Sequence, residues 1–582
     1  MGLLNSNFFF SILPARADFG KSGRPYFPLL WAFFVCSLLP LLWAGLNQEV
    51  MEVDSAQYAS MSREMLVGAS PTELTEHGRR YESRGYPDKP PLVFWAGALG
   101  MRILGSNEAG FRLISWLAAA LALWAVGKWA RLLVGRAAVA PTRWIYACNL
   151  GMLLMNVDLR TDSLLLSMTS IALWQGQVFL MTRRLIPLLG FTLALAMGLM
   201  AKGPVAAVAV VAALLPALPA ALFARPPLHP RPGRPLPGIP LIPAIMIVVM
   251  GVFLLLTPML LGLYRQWGWH DGVRYFIWTQ SFGRITGENP WANQPGPFFL
   301  SGSLAWSFLP WTPVLLVALV RAIVGALRDR WRYPLLGPLA GLVLLTVALS
   351  SSAYQLPHYV YIVWPFASVL CGDYLSRNPI PQGMKIFLYI VLILIIISCL
   401  LLCLSISPHP YPTVVAGLLW MATALWLIRM SLSRSQQLIA HAVTGFLAVA
   451  ATLLLVFYPN VLPLQSGARA GQYYRQNAFQ DPLWILGCRD ESLHNLHFYA
   501  RQIVSGAEHP RQLPQEALWI YTDEQGRGML QQSGRVTDTL IPYPFLRVST
   551  LNAAFFDPNK RAAQVDKRYL IHIRPIFAPN QP

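Results

Sequence analysis

Residues 386–406 read IFLYIVLILIIISCLLLCLSI, an apolar run without a charge, a proline or a glycine. The hydrocarbon core of a bilayer takes about 20 apolar residues of helix to cross, so this stretch reads as a transmembrane span. Working outward, apolar runs recur at 27–46, 111–134, 142–157, 163–182, 185–200, 203–223, 240–264, 298–321, 334–350, 358–376, 385–406, 411–429 and 438–458. The expectation is a polytopic α-helical membrane protein with about 13 spans. Of 582 residues, 55% are apolar and only 12% charged. That is about half the charged share of a soluble domain, and it excludes both a single soluble globule and a disordered chain. Lys and Arg outnumber Asp and Glu by 45 to 26, a net charge of +19. In a polytopic chain this surplus reflects topology and anionic headgroups, not a nucleic acid partner. Six cysteines form no C-x-x-C pair, so neither a zinc knuckle nor a disulfide framework is indicated.

The basic residues sort by loop. Arg16, Lys21 and Arg24 precede the first run, and no A-x-A site follows it, so it reads as an anchor and not a cleaved signal. Arg131, Arg136 and Arg143, then Arg183 and Arg184, Arg225, Arg231 and Arg234, Arg328, Arg330 and Arg332, Arg377 and Lys385, and Arg429 and Arg434 all fall on the same side. The positive-inside rule makes that side cytoplasmic, and an odd span count then puts the tail outside. Three outside segments are long: 47–110, 265–297 and 459–582. In the first, Ala56–Leu66 and Leu92–Leu104 read as interfacial helices lying on the membrane. In the last, a helical stretch at Leu493–Val504 and strand-like runs at Ala517–Tyr521 and Arg568–Ile573 read as a small soluble α/β domain. The expected division is a membrane domain over 1–458 and this domain over 459–582. Residues 225–240 read as a Pro-rich cytoplasmic linker. The chain shows no internal repeat.

Charged groups beside spans are costly and mark function by default, and here they gather on the outside face. The first loop carries Asp54 and Tyr58, then Arg84-Gly85-Tyr86-Pro87-Asp88-Lys89-Pro90-Pro91. Asp54 reads equally as a helix cap and as a general base. Asp158-Leu159-Arg160-Thr161-Asp162 forms a tight turn, where Asp162 is either a cap or a site carboxylate. Lys202, in Ala201-Lys202-Gly203-Pro204, is a snorkelling cation or an anion contact. Arg284 lies in the second long outside segment, 265–297, and Gln355-Leu356-Pro357-His358-Tyr359 in a short turn. Carboxylates suit general-base chemistry on a hydroxyl. Lys and Arg suit a phosphate leaving group. No G-x-x-x-x-G-K-[ST], G-x-S-x-G or H-E-x-x-H occurs, so nucleotide hydrolases, serine lipases and zincins are unsupported.

Taken in order, Asp54-x-x-x-Tyr58, Asp88-Lys89-Pro90-Pro91, Arg160-Thr161-Asp162, Gly198 to Pro204, Arg284 before Leu309-Pro310-Trp311, and Leu356-Pro357-His358-Tyr359 resemble the GT-C membrane glycosyltransferases that use polyprenyl-phosphate sugars. Within them the chain is most similar to the aminoarabinose transferase and protein O-mannosyltransferase-like group. The resemblance implies a bacterial inner-membrane enzyme with its active site on the periplasmic face under two interfacial helices. It implies Asp54 as base, Asp162 as a second acidic position, and Lys89, Lys202 and Arg284 as contacts to the lipid phosphate. Tyr58, Tyr86, His358 and Tyr359 are the accompanying substrate-binding candidates. The expected partners are a polyprenyl-phosphate sugar donor, membrane lipids, and a lipid A, protein or other glycan acceptor. No organic cofactor is implied; a divalent metal occurs in parts of the superfamily, and Asp54, Asp158 and Asp162 could supply oxygens to one. Two positions depart from the pattern: Ser55 stands where many relatives have a second carboxylate, and Gln355 where aminoarabinose-type relatives often carry lysine. The rival readings are a flippase of a lipid-linked glycan, which would place polar groups near the bilayer midplane, and a ligase using a diphosphate-linked oligosaccharide.

Overall fold

The computed structural model describes residues 26–76, 84–219, 238–280, 282–286, 295–378, 380–406, 434–477, 479–488 and 493–575, together with 288, 293 and 417. The expected span 411–429 and the Pro-rich segment 225–240 lie largely outside these residues. Among them, six helices are long and apolar enough to cross a bilayer: Glu108–Val134, Thr161–Thr182, Leu185–Lys202, Leu241–Thr279, Gln382–Ile406 and Gln437–Leu464. Shorter apolar helices cover Ala32–Leu46, Val205–Ala217 and Leu336–Ser350. The chain is a multi-pass, mainly helical membrane protein.

Three expected spans are not single helices. The run at 142–157 divides into Val139–Ala147 and Leu150–Met155. Asn149 starts the second piece, its side chain accepting from Met152 N–H. The run at 298–321 is Phe299–Ser307 and Thr312–Asp329, bent by 119° across Phe308-Leu309-Pro310-Trp311. The two breaks complete each other: the Trp311 indole donates to the Cys148 carbonyl at 2.7 Å, and Leu150 N–H donates to the Leu309 carbonyl at 3.0 Å. Broken backbone at membrane depth needs such internal partners because lipid offers none. The run at 358–376 begins as a tight turn, Pro357–Val363, and becomes α-helical only over Trp364–Arg377. Hydropathy alone sees none of these breaks, since every residue involved is apolar or uncharged.

Helices form over both stretches expected to be interfacial, as Asp54–Leu66 and Leu92–Leu104, and the first is buried in the protein from Ser55 to Glu64. A Cβ on Gly97 would collide with Ser62 Oγ, and one on Gly100 with the Gly110 carbonyl. Glycine is therefore what lets Leu92–Leu104 lie tight against both its partner helix and the start of the spanning helix.

Past residue 465 the chain builds a five-stranded sheet in the order Ser505–Ala507, Leu483–Leu486, Leu518–Asp523, Asp566–Ile573, Thr537–Phe545. The first three strands are parallel and the last two antiparallel. Alternation sets its two faces: Trp519 and Tyr521 pack with Leu493 and Leu496, while Leu518 and Ile520 pack with Leu530. The strand expectations at Ala517–Tyr521 and Arg568–Ile573 hold to within a few residues, and the expected helix stops at Ala500. Helix Leu493–Ala500 packs on the interfacial helix Asp54–Leu66, so this sheet unit sits on the same face as the polar clusters.

Candidate active site

The segment from Leu46 to Val53 carries the chain out of helix Tyr26–Leu46 and delivers Asp54. It is held from two sides. From the membrane domain, Arg112 donates through Nε to Asp158 Oδ1 at 2.7 Å and through its other nitrogens to the carbonyls of Leu46, Gln48 and Glu49. The second Asp158 oxygen accepts from Met51 N–H at 3.0 Å. Both side chains of this ion pair are 0% exposed. From the sheet unit, the Tyr499 hydroxyl accepts from Val50 N–H at 2.8 Å, and Gln465 accepts from Glu52 N–H at 2.6 Å while donating to the Val50 carbonyl. Glu52 in turn accepts from Val548 N–H at 2.8 Å.

Asp54 is the first residue of helix Asp54–Leu66, and Val53, which precedes it, caps nothing with its side chain. The Asp54 carboxylate is partly exposed and accepts no hydrogen bond among the described residues. It is a first-turn carboxylate, favoured there by the helix dipole, and not the cap. Close to it stands Arg160. Burial opposes charge on that guanidinium, but Asp54 and Asp158 outweigh it and push its pKa up. Tyr58, one turn along from Asp54 and buried, has its hydroxyl pKa raised by burial and then by Asp54.

Asp162 lies inside helix Thr161–Thr182, whose cap position is Arg160, so it too is not a cap. Lys202 closes on it across the helix pair, with Nζ 2.6 Å from Oδ1. The same ammonium sits 4.8 Å from the centroid of the Tyr359 ring, within cation–π range. His358 Nε2 is 3.9 Å from the other Asp162 oxygen. Asp162, Lys202, His358 and Tyr359 therefore form one cluster, and Arg160 and Tyr58 link it electrostatically to Asp54.

The remaining candidates fare differently. Asp88 is fixed by the Tyr275 hydroxyl at 3.0 Å and Gln280 at 3.2 Å, which ties the Lys89 loop to the segment after Leu241–Gly268. Lys89 itself is half-buried and has no hydrogen bond or ion pair among the described residues. Tyr86 is turned into the wall: its hydroxyl donates to Gln57 at 3.3 Å, its ring packs on Phe94, and Gln57 donates to Glu76 at 2.7 Å. Arg284 falls in the short helix Gly283–Thr286, and its side chain lies outside the described residues. Gln355 is buried, its amide donating to the Ser350 and Ser352 carbonyls, and its backbone is paired with Asn293. It holds the turn before His358 and supplies no cation.

The three aspartates do not make a metal-binding set. Both Asp158 oxygens are engaged by Arg112 and Met51, Asp162 is paired with Lys202, and no three His, Cys, Asp or Glu side chains converge to hold an ion among the described residues. Two groups at this cluster were given no role by the sequence reading: Arg112, which it did not single out, and Arg160, which it quoted only within the Asp158–Asp162 turn. Arg112 sits near the start of an apolar run expected to span, where an intramembrane charge is itself a signal.

Comparison with known proteins follows this geometry. Residues 88–257 match the family model described as dolichyl-phosphate-mannose-protein mannosyltransferase. An undecaprenyl phosphate-alpha-4-amino-4-deoxy-L-arabinose arabinosyl transferase of Pseudomonas aeruginosa is 28% identical over 344 residues, 57% of this chain and 56% of that protein. A second, from Pseudomonas fluorescens, is 27% identical over 369 residues, 62% and 57% of the two chains. The chain thus spans little more than half the length of the curated relatives it matches. ArnT from Cupriavidus metallidurans, crystallised with undecaprenyl phosphate, superimposes with a TM-score of 0.67 at 16% identity, covering 93% of this chain and 97% of that one. The chain has the GT-C fold. Its apo form gives 0.64 at 17% identity. The GT-C likeness extends through the sheet unit, since the superposition runs over nearly the whole chain.

Proposed function

We propose that this chain is an inverting glycosyltransferase that moves a sugar from a polyprenyl-phosphate carrier to an acceptor hydroxyl or phosphate in the cell envelope. The observation that carries the reading is the meeting of Asp54, Arg160, Asp162, Lys202, His358 and Tyr359 on one face of a GT-C fold, below two interfacial helices. Asp54 has a free carboxylate, delivered by a segment clamped on both sides. It takes the acceptor proton, or orients the acceptor when that is a phosphate. The acceptor oxygen attacks the anomeric carbon as the bond from that carbon to the phosphate oxygen breaks. The electron pair leaves on polyprenyl phosphate, and configuration inverts. Lys89 is a half-buried cation with no counter-ion among the described residues, and it meets the departing phosphate together with Arg160. Lys202, held by Asp162, positions that carboxylate and joins the phosphate as charge develops. Such preorganised charge is usually the largest contribution to catalysis.

The relatives' names support an undecaprenyl-phosphate donor carrying an amino-pentose, and lipid A is the first acceptor to try. The positive-inside pattern supports a periplasmic site, with a catalytic membrane domain over 1–458 and a soluble domain over 459–582 on the same side. The test is turnover by purified protein in detergent: polyprenyl phosphate should be released from a polyprenyl-phosphate sugar when acceptor is present. Asp54→Asn should lower the rate by about 10²–10⁴ with the apparent Tm unchanged. No release with any polyprenyl-phosphate sugar, alongside movement of the lipid between leaflets of a vesicle, would favour a flippase.

A further inference from the structure

Away from the Asp54–Asp162 cluster, a cavity of about 260 Å³ opens where Leu92–Leu104 turns into the spanning helix Glu108–Val134. Ser106, Asn107 and Glu108 form one wall, so one carboxylate faces the cavity; Gln472, Arg475 and Arg501 of the sheet unit form the other. Arg501 follows helix Leu493–Ala500 with φ 58°, a left-handed conformation that a non-glycine residue adopts at a cost. Its Nη2 donates to the Ser106 carbonyl at 3.1 Å, which fixes the guanidinium at the rim.

Positive charge accumulates here. Burial, and then the charge of Arg475, lower the Arg501 pKa, with Glu108 opposing. Arg63 lies behind, 5% exposed, and its Nε and Nη1 have no hydrogen-bond partner among the described residues. Arg501 works against the charge on Arg63 too, while Glu64 supports it. Arg501 thus interacts unfavourably with both Arg475, on the cavity wall, and Arg63 behind it, while Glu108 and Glu64 oppose, and an added anion between Arg475 and Arg501 relieves that repulsion. Guanidinium groups bind phosphate oxygens bidentately and keep their charge. Leu99, Ile103 and Leu104 of the adjoining helix Leu92–Leu104 are exposed; in a multi-pass membrane protein such an apolar face turns to lipid, which brings the cavity mouth to headgroup level and points to a lipid phosphate.

We propose that this cavity binds the phosphate of an anionic membrane lipid between Arg475 and Arg501, docking the sheet unit onto the bilayer surface. The assignment is independent of the proposed transfer reaction. The test uses full-length protein purified in neutral detergent, with retained phosphatidylglycerol and phosphatidylcholine measured by native mass spectrometry. Arg475→Gln with Arg501→Asn, asparagine tolerating the left-handed conformation, should weaken phosphatidylglycerol retention by on the order of tenfold or more. Phosphatidylcholine retention and apparent Tm in phosphatidylcholine should not change. Should the double variant fold poorly, Arg475→Gln alone, at an exposed helix end, should give an intermediate loss. Undiminished phosphatidylglycerol retention in a folded variant overturns the site. Displacement of the lipid by inorganic phosphate at equal concentration overturns the lipid assignment in favour of a free phosphate.

Discussion

Replacing Arg112 with alanine removes the inner clamp on the segment that delivers Asp54. The side chain makes four contacts: one to Asp158 at 2.7 Å and three to the carbonyls of Leu46, Gln48 and Glu49. Truncation leaves Asp158 buried without its hydrogen-bonded cation and with only the Arg160 charge nearby, so the loss should approach the about 3–5 kcal/mol of a buried pair broken on one side. No discount for solvent screening applies, because both side chains are 0% exposed. Arg112→Lys keeps the charge but not the fork, and loses two or three hydrogen bonds at about 1 kcal/mol each. The outer clamp, through Tyr499, Gln465 and Val548, remains in both variants. Asp54 should therefore be displaced more than the protein is unfolded. A shift of about 1 Å in a reacting group costs roughly 10²-fold, and that loss should appear in kcat with donor KM little changed. Adding Asp158→Asn, which removes the uncompensated charge but keeps an acceptor for Met51 N–H, should recover part of the lost apparent Tm and little of the turnover. The measurement is thermal unfolding and donor turnover of the set in one detergent. Arg112→Ala with unchanged apparent Tm and unchanged kcat would refute the clamp.

The other expectations are shorter. Lys89→Ala should cost roughly 10–150-fold in kcat/KM, carried mainly by a raised donor KM and equivalent to one charge-assisted contact of about 1.5–3 kcal/mol, and Lys89→Arg should recover only part; unchanged kcat/KM in Lys89→Ala removes it from the site. Lys202→Ala should cost apparent Tm as well as turnover, because it strands Asp162, and Asp162→Asn added to it should restore stability but not rate. Burial pushes the Glu49 carboxyl up to about 7, with Arg469 pulling it down and Glu108 adding to the rise. The folded protein then holds a proton that the unfolded chain releases near 4.5, so this stabilisation is present at low pH and lost as pH rises towards about 7; Glu49→Gln should flatten apparent Tm across that window. Alkaline phosphatase fused to the C-terminus should be active in cells, and a silent fusion with an active cytoplasmic reporter would reverse the orientation.

Composition and hydropathy made the membrane class legible, and ordered motifs made the GT-C fold legible. Apolar length cannot report where a helix breaks. The interruptions at Asn149 and at Phe308–Trp311 are each satisfied by the other through Trp311 and Leu309; Pro310 and Pro313 mark the second break in the sequence, but nothing along the chain shows that the two breaks are joined. Site residue types were readable because carboxylates and cations are rare in this chain and stood out against an apolar background. Their partners were not, since Arg112 and Asp158 are 46 residues apart and Lys202 and Asp162 are 40 apart. Only the fold separates the two aspartates of this turn: Asp158 is locked to Arg112 and Met51 N–H, while Asp162 is paired with Lys202 in the proposed site.

That division changes how the cations should be read. By residue type, Lys89 and Lys202 are equivalent leaving-group contacts. In the fold they are not: Lys202 is neutralised at 2.6 Å by Asp162 and covered by the Tyr359 ring, whereas Lys89 lacks a counter-charge among the described residues. A phosphate reaching Lys202 must compete with a carboxylate already in place, while one reaching Lys89 meets an unopposed ammonium. Donor affinity should therefore depend mainly on Lys89. Lys202 should matter most in the transition state, when charge moving onto the phosphate oxygen makes sharing the ammonium with Asp162 favourable. The two alanine variants separate these roles, with Lys89→Ala raising donor KM and Lys202→Ala lowering kcat.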